Sequence, residues 1–382
     1  MPDPDRMSIG FLAMKVGTAA GGLATYEKHL LQALAAIDSQ SRYHVFCVHP
    51  VDPADCGVSA PNFTFHRLTP RSRLLSMLWS APRAIRRSGV DLFHAPFLPL
   101  LRAPCPFVFT AHGSEMFVHP EFFPPLIRAQ LLPLTRIGYT KSAEVACVSG
   151  TMREYLVEHF PTTRDRSRVV YNGCDAVFRE IEPAVAKAAV RERHGIDYPY
   201  VLAVGRVEPR KNPVRLLESF ARYAERVGGD VRLVIAGGNT WSAGEAQETI
   251  SRLGIAPRVT LLGFVDHASL PELYAAAEMF VFPSLWEGFG LPAIEAMRCG
   301  TPVITSNTSC MPEVAGGAAL LVDPESVESI ADAMVRIHES PEVRADLRTR
   351  GFARGAEFSW ERCARETLAT YRDVWMRTRP AR

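Results

Sequence analysis

The sequence predicts an α/β protein built on two parallel sheets, and three observations carry that reading. Its 382 residues exceed what one core usually serves, so two domains of roughly 150 to 200 residues are expected. Short apolar runs alternate with amphipathic helical patterns, which is the mark of βαβ units. The rhythm restarts near Tyr200 with a fresh strand, loop and helix.

The first strand is "SIGFLAM" at 8 to 14, followed by the loop "KVGTAAGG" and a helix with Leu23, Tyr26, Leu30, Leu34 and Ile37 on one stripe. Five more buried runs follow in the first half: "YHVFCV", "DLFHA", "PFVFTAH", "EVACVS" and "RVVYN". The second half opens with "YVLAVGR" at 200 to 206 and a helix that starts at Asn212 as N-cap and Pro213 at its first position and stops at Gly228. Then come "VRLVIAGG", "VTLLGFV", "MFVFPS", "TPVITS" and "ALLVDP". A dozen strands fit two sheets better than one. The segment "YNGCDAVFREIEPAV" at 171 to 185, with its Asn-Gly turn, charges and Pro183, reads as the linker. A last helix from Ser359 places Trp360, Cys363, Ala364, Leu368, Tyr371 and Val374 on one face that must dock on a core.

Composition excludes several classes. Apolar residues make up 47% and charged residues 22%, with no apolar run of about 18, so neither a disordered chain nor a spanning helix fits. The start "MPDPDRMSIGF" has no apolar stretch before a small-residue cleavage site, and the expectation is a cytoplasmic protein. Eight scattered cysteines without metal-ligand spacing read as reduced thiols. A net charge of +2 offers nothing global to nucleic acid. Only five lysines stand against 38 arginines, which makes Lys211 conspicuous.

The chemistry concentrates in "SLWEGFGLPAIEAMRCG" at 284 to 300. A buried strand ends there and a helix begins near Pro292, so "EGFG" is a turn at the carboxyl end of a parallel sheet. Its glycines let backbone N–H groups approach a ligand, and the helix N-terminus favours phosphate. Two readings compete. Gly288, Gly290 and Ala293 satisfy the dinucleotide pattern G-x-G-x-x-G/A, but the next strand ends in Ser306 and Asn307 where that pattern wants an acid. The other reading uses both carboxylates around a nucleotide-diphosphate sugar: Glu287 on the sugar, the amides of 288 to 291 on phosphate, and Glu295 on the ribose diol.

The stretch "EGFGLPAIE" resembles the E-x7-E motif of retaining GT-B glycosyltransferases of family 4. The similarity runs over nearly the whole chain, through "AAGGLATY", "FTAHG", "ACVS", "VVYNGCDAVF", "GRVEPRKN", "LLGFV" and "FSW". This resemblance implies two Rossmann-like domains facing across a cleft. Residues 1 to 178, joined by the final helix at about 360 to 382, would form the acceptor-side domain, and 179 to 359 the nucleotide-sugar domain. It implies donor contacts from Gly288, Phe289, Gly290 and Leu291, with Glu287 on the transferred sugar and Glu295 on the ribose. It also implies retention of anomeric configuration. With no evident nucleophile, we expect same-face attack in which the leaving phosphate takes the acceptor's proton.

Arg206 ends a strand and Lys211 follows five residues on, so both are expected at the departing diphosphate, where fixed cations stabilise developing charge. A metal would otherwise do this; the D-x-D at Asp3 to Asp5 lies near the start of the chain, so a metal-independent reaction without cofactor is expected. Gly21 and Gly22 keep the first βα loop thin for the donor. His112 follows the strand "PFVFT" and, by the resemblance, lies near the sugar C6 hydroxyl and the anomeric centre. His112, Glu287, Arg206 and Lys211 form the expected catalytic set.

The acceptor is expected to be a glycan or lipid-linked glycan. The segment at 67 to 89 mixes six arginines with Leu74, Leu75, Met77, Leu78, Trp79 and Ile85. It reads either as a basic amphipathic surface for the inner face of an anionic membrane or as a helix packed on the first sheet. The pattern most resembles bacterial mannosyltransferases of polysaccharide assembly, which points to GDP-mannose. A nucleotide-sugar epimerase or hydrolase and a dinucleotide oxidoreductase are the alternatives.

Overall fold

The structure, a computed structural model, describes residues 6–18, 21–49, 51, 56–69, 75–238 and 243–379. Its contacts separate two units, one running to Gly173 and resuming at Ser359, the other spanning Cys174–Phe358.

In the first unit seven parallel strands, β1 (Ser8–Ala13), β2 (Arg42–Cys47), β3 (Phe63–Arg67), β4 (Leu92–Ala95), β5 (Phe107–Ala111), β6 (Glu144–Cys147) and β7 (Ser167–Val169), lie in the order β3-β2-β1-β4-β5-β6-β7. Central strands need apolar residues on both faces. Along β1, Ile9, Phe11 and Ala13 enter one core, and Leu12 enters the core on the opposite face. The edge strand β3 escapes a search for buried runs because its residues are half-buried or exposed.

The helix Gly22–Ile37 buries Tyr26, Leu30, Leu31 and Leu34 against one face of this sheet. The final helix, Trp360–Thr378, packs in the same layer with Trp360, Cys363, Leu368, Tyr371 and Val374 buried. Its docking is also polar. The Tyr371 hydroxyl lies 2.6 Å from His94 Nδ1, His94 Nε2 lies 2.7 Å from the Thr110 hydroxyl, and Thr110 lies 3.0 Å from the Tyr26 hydroxyl. Burial pushes His94 down to about 3, so this chain holds a neutral imidazole. A Cβ on Gly173 would fall 2.1 Å from the Trp360 backbone nitrogen, so the glycine of the Asn-Gly pair permits a close backbone approach.

The second unit repeats the plan with six parallel strands, β8 (Tyr200–Val204), β9 (Arg232–Ala236), β10 (Val259–Gly263), β11 (Met279–Phe282), β12 (Val303–Ser306) and β13 (Leu320–Val322), ordered β10-β9-β8-β11-β12-β13. Both sheets are doubly wound, and in each the order reverses beside the first strand. The helix Pro213–Val227 starts after Asn212 and stops at Gly228 (φ 67°). Asn212 departs from the expected cap: it is left-handed at φ 59° and its side chain does not cap the helix. Its Nδ2 donates instead to the carbonyls of Pro283 at 3.1 Å and Pro324 at 2.6 Å.

Candidate functional site

The strand order of the second unit makes the exits of β8 and β11 its switch point, where open α/β sheets take ligands. Two loops therefore meet. After β8 the chain passes Arg206 and Glu208 into a short 3-10 turn, Pro209–Lys211. After β11 it passes Ser284 to Glu287 into the glycines and the helix Leu291–Arg298.

Lys211 Nζ lies 2.6 Å from one carboxylate oxygen of Glu287, and Arg210 Nη1 lies 2.7 Å from the other. Both loops are tied further, because Arg210 also bonds the Trp286 carbonyl at 3.0 Å and Glu208 at 2.7 Å. Lys211 Nζ also lies 4.3 Å from the centroid of the Phe282 ring. Burial alone would raise the Glu287 pKa; Arg210 first and Lys211 second outweigh it and hold the group down at about 2. Burial pulls Lys211 below the usual ammonium value, against the attraction of Glu287. We read the buried pair as ionised, since two cations face one carboxylate. Arg210 is the member that sequence reasoning missed. Arg206, chosen because it ends a strand, is 62% exposed and lies 3.6 Å from Glu208.

Glu295 sits inside the helix Leu291–Arg298 and is buried. Burial raises its pKa, opposed by His267 and by the Tyr274 hydroxyl, which donates to it at 2.9 Å. The two glutamates thus have opposite environments. Gly290 caps this helix at φ 86°, and a Cβ there would meet the Met311 sulfur at 2.6 Å. Phe289 is buried against Phe358 at 5.4 Å between ring centroids, while Gly288 and Leu291 are half-buried at the mouth of the turn.

In the first unit, Gly21 caps the helix Gly22–Ile37 at φ 65° with open space beyond its Cα, and Gly22 is the helix's exposed first residue. The preceding loop is set by Glu27, which the stripe reading passed over. This 1%-exposed carboxylate accepts the N–H groups of Met14, Lys15 and Val16 at 3.1, 2.7 and 2.7 Å. Burial nevertheless raises it to about 7. His112 stands edge-on to Tyr26 with 4.5 Å between centroids, and burial pushes it down to about 4. Its buried Nε2 has no hydrogen-bond partner among the described residues.

Of the basic amphipathic segment, residues 70 to 74 lie outside the described residues, as does Asp3 to Asp5. Arg67 ends β3, and from Ser76 the segment folds as a π-helical turn, Ser76–Ser80, running into the helix Ala81–Ser88. Met77 and Ile85 are buried, whereas Leu75, Leu78 and Trp79 are 45%, 39% and 59% exposed. Arg83 stacks over Trp79 at 4.7 Å. Among the described residues no helix is long and apolar enough to cross a membrane.

Two consecutive doubly wound units, with a final helix returning to the first, define the GT-B architecture. Residues 20–178 match the model for Glycosyltransferase Family 4 and residues 187–354 the model for Glycosyl transferases group 1. The chain belongs to this family of glycosyltransferases. It is 29% identical to O-antigen chain mannosyltransferase B of Escherichia coli over 96% of this chain and 100% of that protein. Among solved structures it resembles sucrose-phosphate synthase from Thermosynechococcus elongatus, with TM-score 0.78 and 24% identity over 97% of this chain and 100% of that one. It also resembles Anabaena HepE in complex with UDP and glucose, with TM-score 0.74 and 19% identity over 96% and 100% of the two chains.

Proposed function

We propose that this glycosyltransferase moves mannose, with retention, from GDP-mannose to a glycan or lipid-linked glycan of polysaccharide assembly, using no metal and no cofactor. One observation carries the reading: at the switch point of the second sheet a buried carboxylate, Glu287, is fixed by Lys211 and Arg210. The full-length likeness to an O-antigen mannosyltransferase supports mannose as the sugar.

In this proposal Glu287 meets the transferred sugar and stabilises positive charge at the anomeric carbon, and its low pKa keeps it ionised for that task. Lys211 and Arg206 receive the diphosphate; fixed cations in a partly dry site are worth several kcal/mol to a departing anion, on the order of 3. The exposed head of Arg206 and the clamped head of Lys211 suit capture and positioning respectively. The amides of Gly288, Phe289, Gly290 and Leu291 take phosphate oxygens, and Glu295 accepts from the ribose diol. Gly21 and Gly22 leave room for the donor, and neutral His112 offers its unpartnered Nε2 to a sugar hydroxyl. The leaving phosphate takes the acceptor's proton during same-face attack. The exposed Leu75, Leu78 and Trp79 beside Arg83, Arg86 and Arg87 dock on an anionic membrane where a lipid-linked acceptor is found. Flotation with anionic liposomes, lost in salt, is the expected result there; no binding refutes the membrane contact.

The test of the donor is a thermal-shift panel of GDP, UDP, ADP, their common sugars, NAD and NADP against the natural protein and Glu295→Ala. Stabilisation by GDP and GDP-mannose that weakens in the variant is expected, because saturating ligand raises the melting temperature by mass action. A response to UDP and UDP-glucose instead moves the donor to that base. Stabilisation by NAD or NADP alone overturns the reading.

A further inference from the structure

Only two non-glycine residues among the described ones adopt left-handed backbone, Asn212 at φ 59° and Ser309 at φ 52°. Such residues are strained and persist only where their surroundings hold them. Both border the same ion pair. Asn212 follows Lys211 and is tied to the carbonyl of Pro283 at the exit of β11. Ser309 accepts the backbone N–H of Glu287 on its hydroxyl at 3.2 Å.

Asparagine tolerates this backbone because its short amide bonds locally; serine has less excuse. Nor does Ser309 serve the helix that follows: Met311–Ala315 begins at Cys310 with no side-chain cap. Its neighbours do different work. Ser306 and Thr308 donate their hydroxyls to the carbonyls of Ser284 and Leu285, and the Cys310 thiol donates to the carbonyl of Glu287 at 3.2 Å. Of these four side chains Ser309 is the one that accepts an N–H from that turn, and the N–H it takes belongs to the peptide plane that carries Glu287.

We infer that Ser309 is a positioning residue, its left-handed backbone maintained so that its hydroxyl can orient Glu287 towards Lys211 and Arg210. The inference rests on the proposed role of Glu287 and deepens it. A structural brace would lose stability and activity together, whereas a positioning residue separates them.

The experiment compares Ser309→Gly, Ser309→Asn and Glu287→Gln with the natural protein, with GDP-mannose and UDP-glucose as donors and an alkyl mannoside as acceptor. Ser309→Gly relieves the strain, so its melting temperature is expected to match or exceed the natural one by up to about 3 °C. The Glu287 amide should exchange hydrogen faster, and turnover should fall about tenfold with donor KM within about twofold. Ser309→Asn tolerates the backbone and keeps an acceptor, so it should restore most of the turnover. Unchanged amide exchange in Ser309→Gly overturns the inference. So does full turnover in that variant while Glu287→Gln is inactive, and so does activity lost only in proportion to a lowered melting temperature. A fully active Glu287→Gln overturns the reading of Glu287 itself, and amide exchange then decides separately whether Ser309 holds the turn.

Discussion

Replacing Arg210 by glutamine removes one of the two cations that hold Glu287 ionised. With the carboxyl at about 2 in the folded chain and 4.5 as its usual value, keeping it ionised contributes on the order of 3 kcal/mol of stability at neutral pH. Arg210 is the larger of the two attractions, so the variant should lose about 2 to 3 kcal/mol, near the range for breaking a buried pair from one side. The sign follows from the depressed pKa. The contribution is fully present above about 4.5 and fades as pH falls toward about 2. For the natural protein it should shrink from about 3 kcal/mol at pH 7 to about 2 at pH 3.5, and the gap between natural protein and variant should narrow with it. Urea melts at both pH values measure this. A gap that is the same at pH 7 and pH 3.5 would refute the electrostatic account and reassign Arg210 to packing. Glycosyl transfer should also weaken in the variant at neutral pH, because Lys211 alone no longer fixes both carboxylate oxygens.

Three further outcomes follow from particular contacts. Tyr371→Phe leaves the buried His94 Nδ1 without its partner at 2.6 Å and should lower stability by about 1 to 3 kcal/mol, read by urea unfolding. Gly173→Ala places a methyl group against the Trp360 backbone and should lower the melting temperature by several degrees, roughly 4 °C or more; an unchanged value refutes the close approach. Glu295→Gln removes a buried carboxylate whose pKa is raised by burial. Such a group favours the fold at low pH and loses that benefit as pH rises through its folded value, so the variant should gain stability at pH 7 relative to the natural protein. The gain should shrink toward the usual carboxylate range, while nucleotide binding weakens.

Much of this molecule is local, and local order is legible in a chain of letters. Buried parallel strands must be apolar on both faces and helices must carry a stripe, so the twelve central and flanking runs, the restart at Tyr200 and the helix stop at Gly228 stand out by period and composition alone. The half-exposed edge strand Phe63–Arg67 lacks that signature and went unseen. The turn "EGFG" and the carboxylates Glu287 and Glu295 were legible because glycines, a strand end and a helix start lie within a dozen residues.

The partners of those carboxylates were not. Arg206, Arg210 and Lys211 are equally basic letters, and only the 3-10 turn after β8 swings Arg210 rather than Arg206 onto Glu287, 77 positions later in the chain. Glu27 looks like one charge on the rim of a helical stripe until three backbone N–H groups surround it. Ser309 looks like a loop serine until its φ and its bond to Glu287 are known. Periodicity encodes which face of an element is buried; which charge meets which across distant loops is settled only when the sheet order brings their strand ends together, because Coulomb and hydrogen-bond energies depend on ångströms that no spacing along the chain specifies.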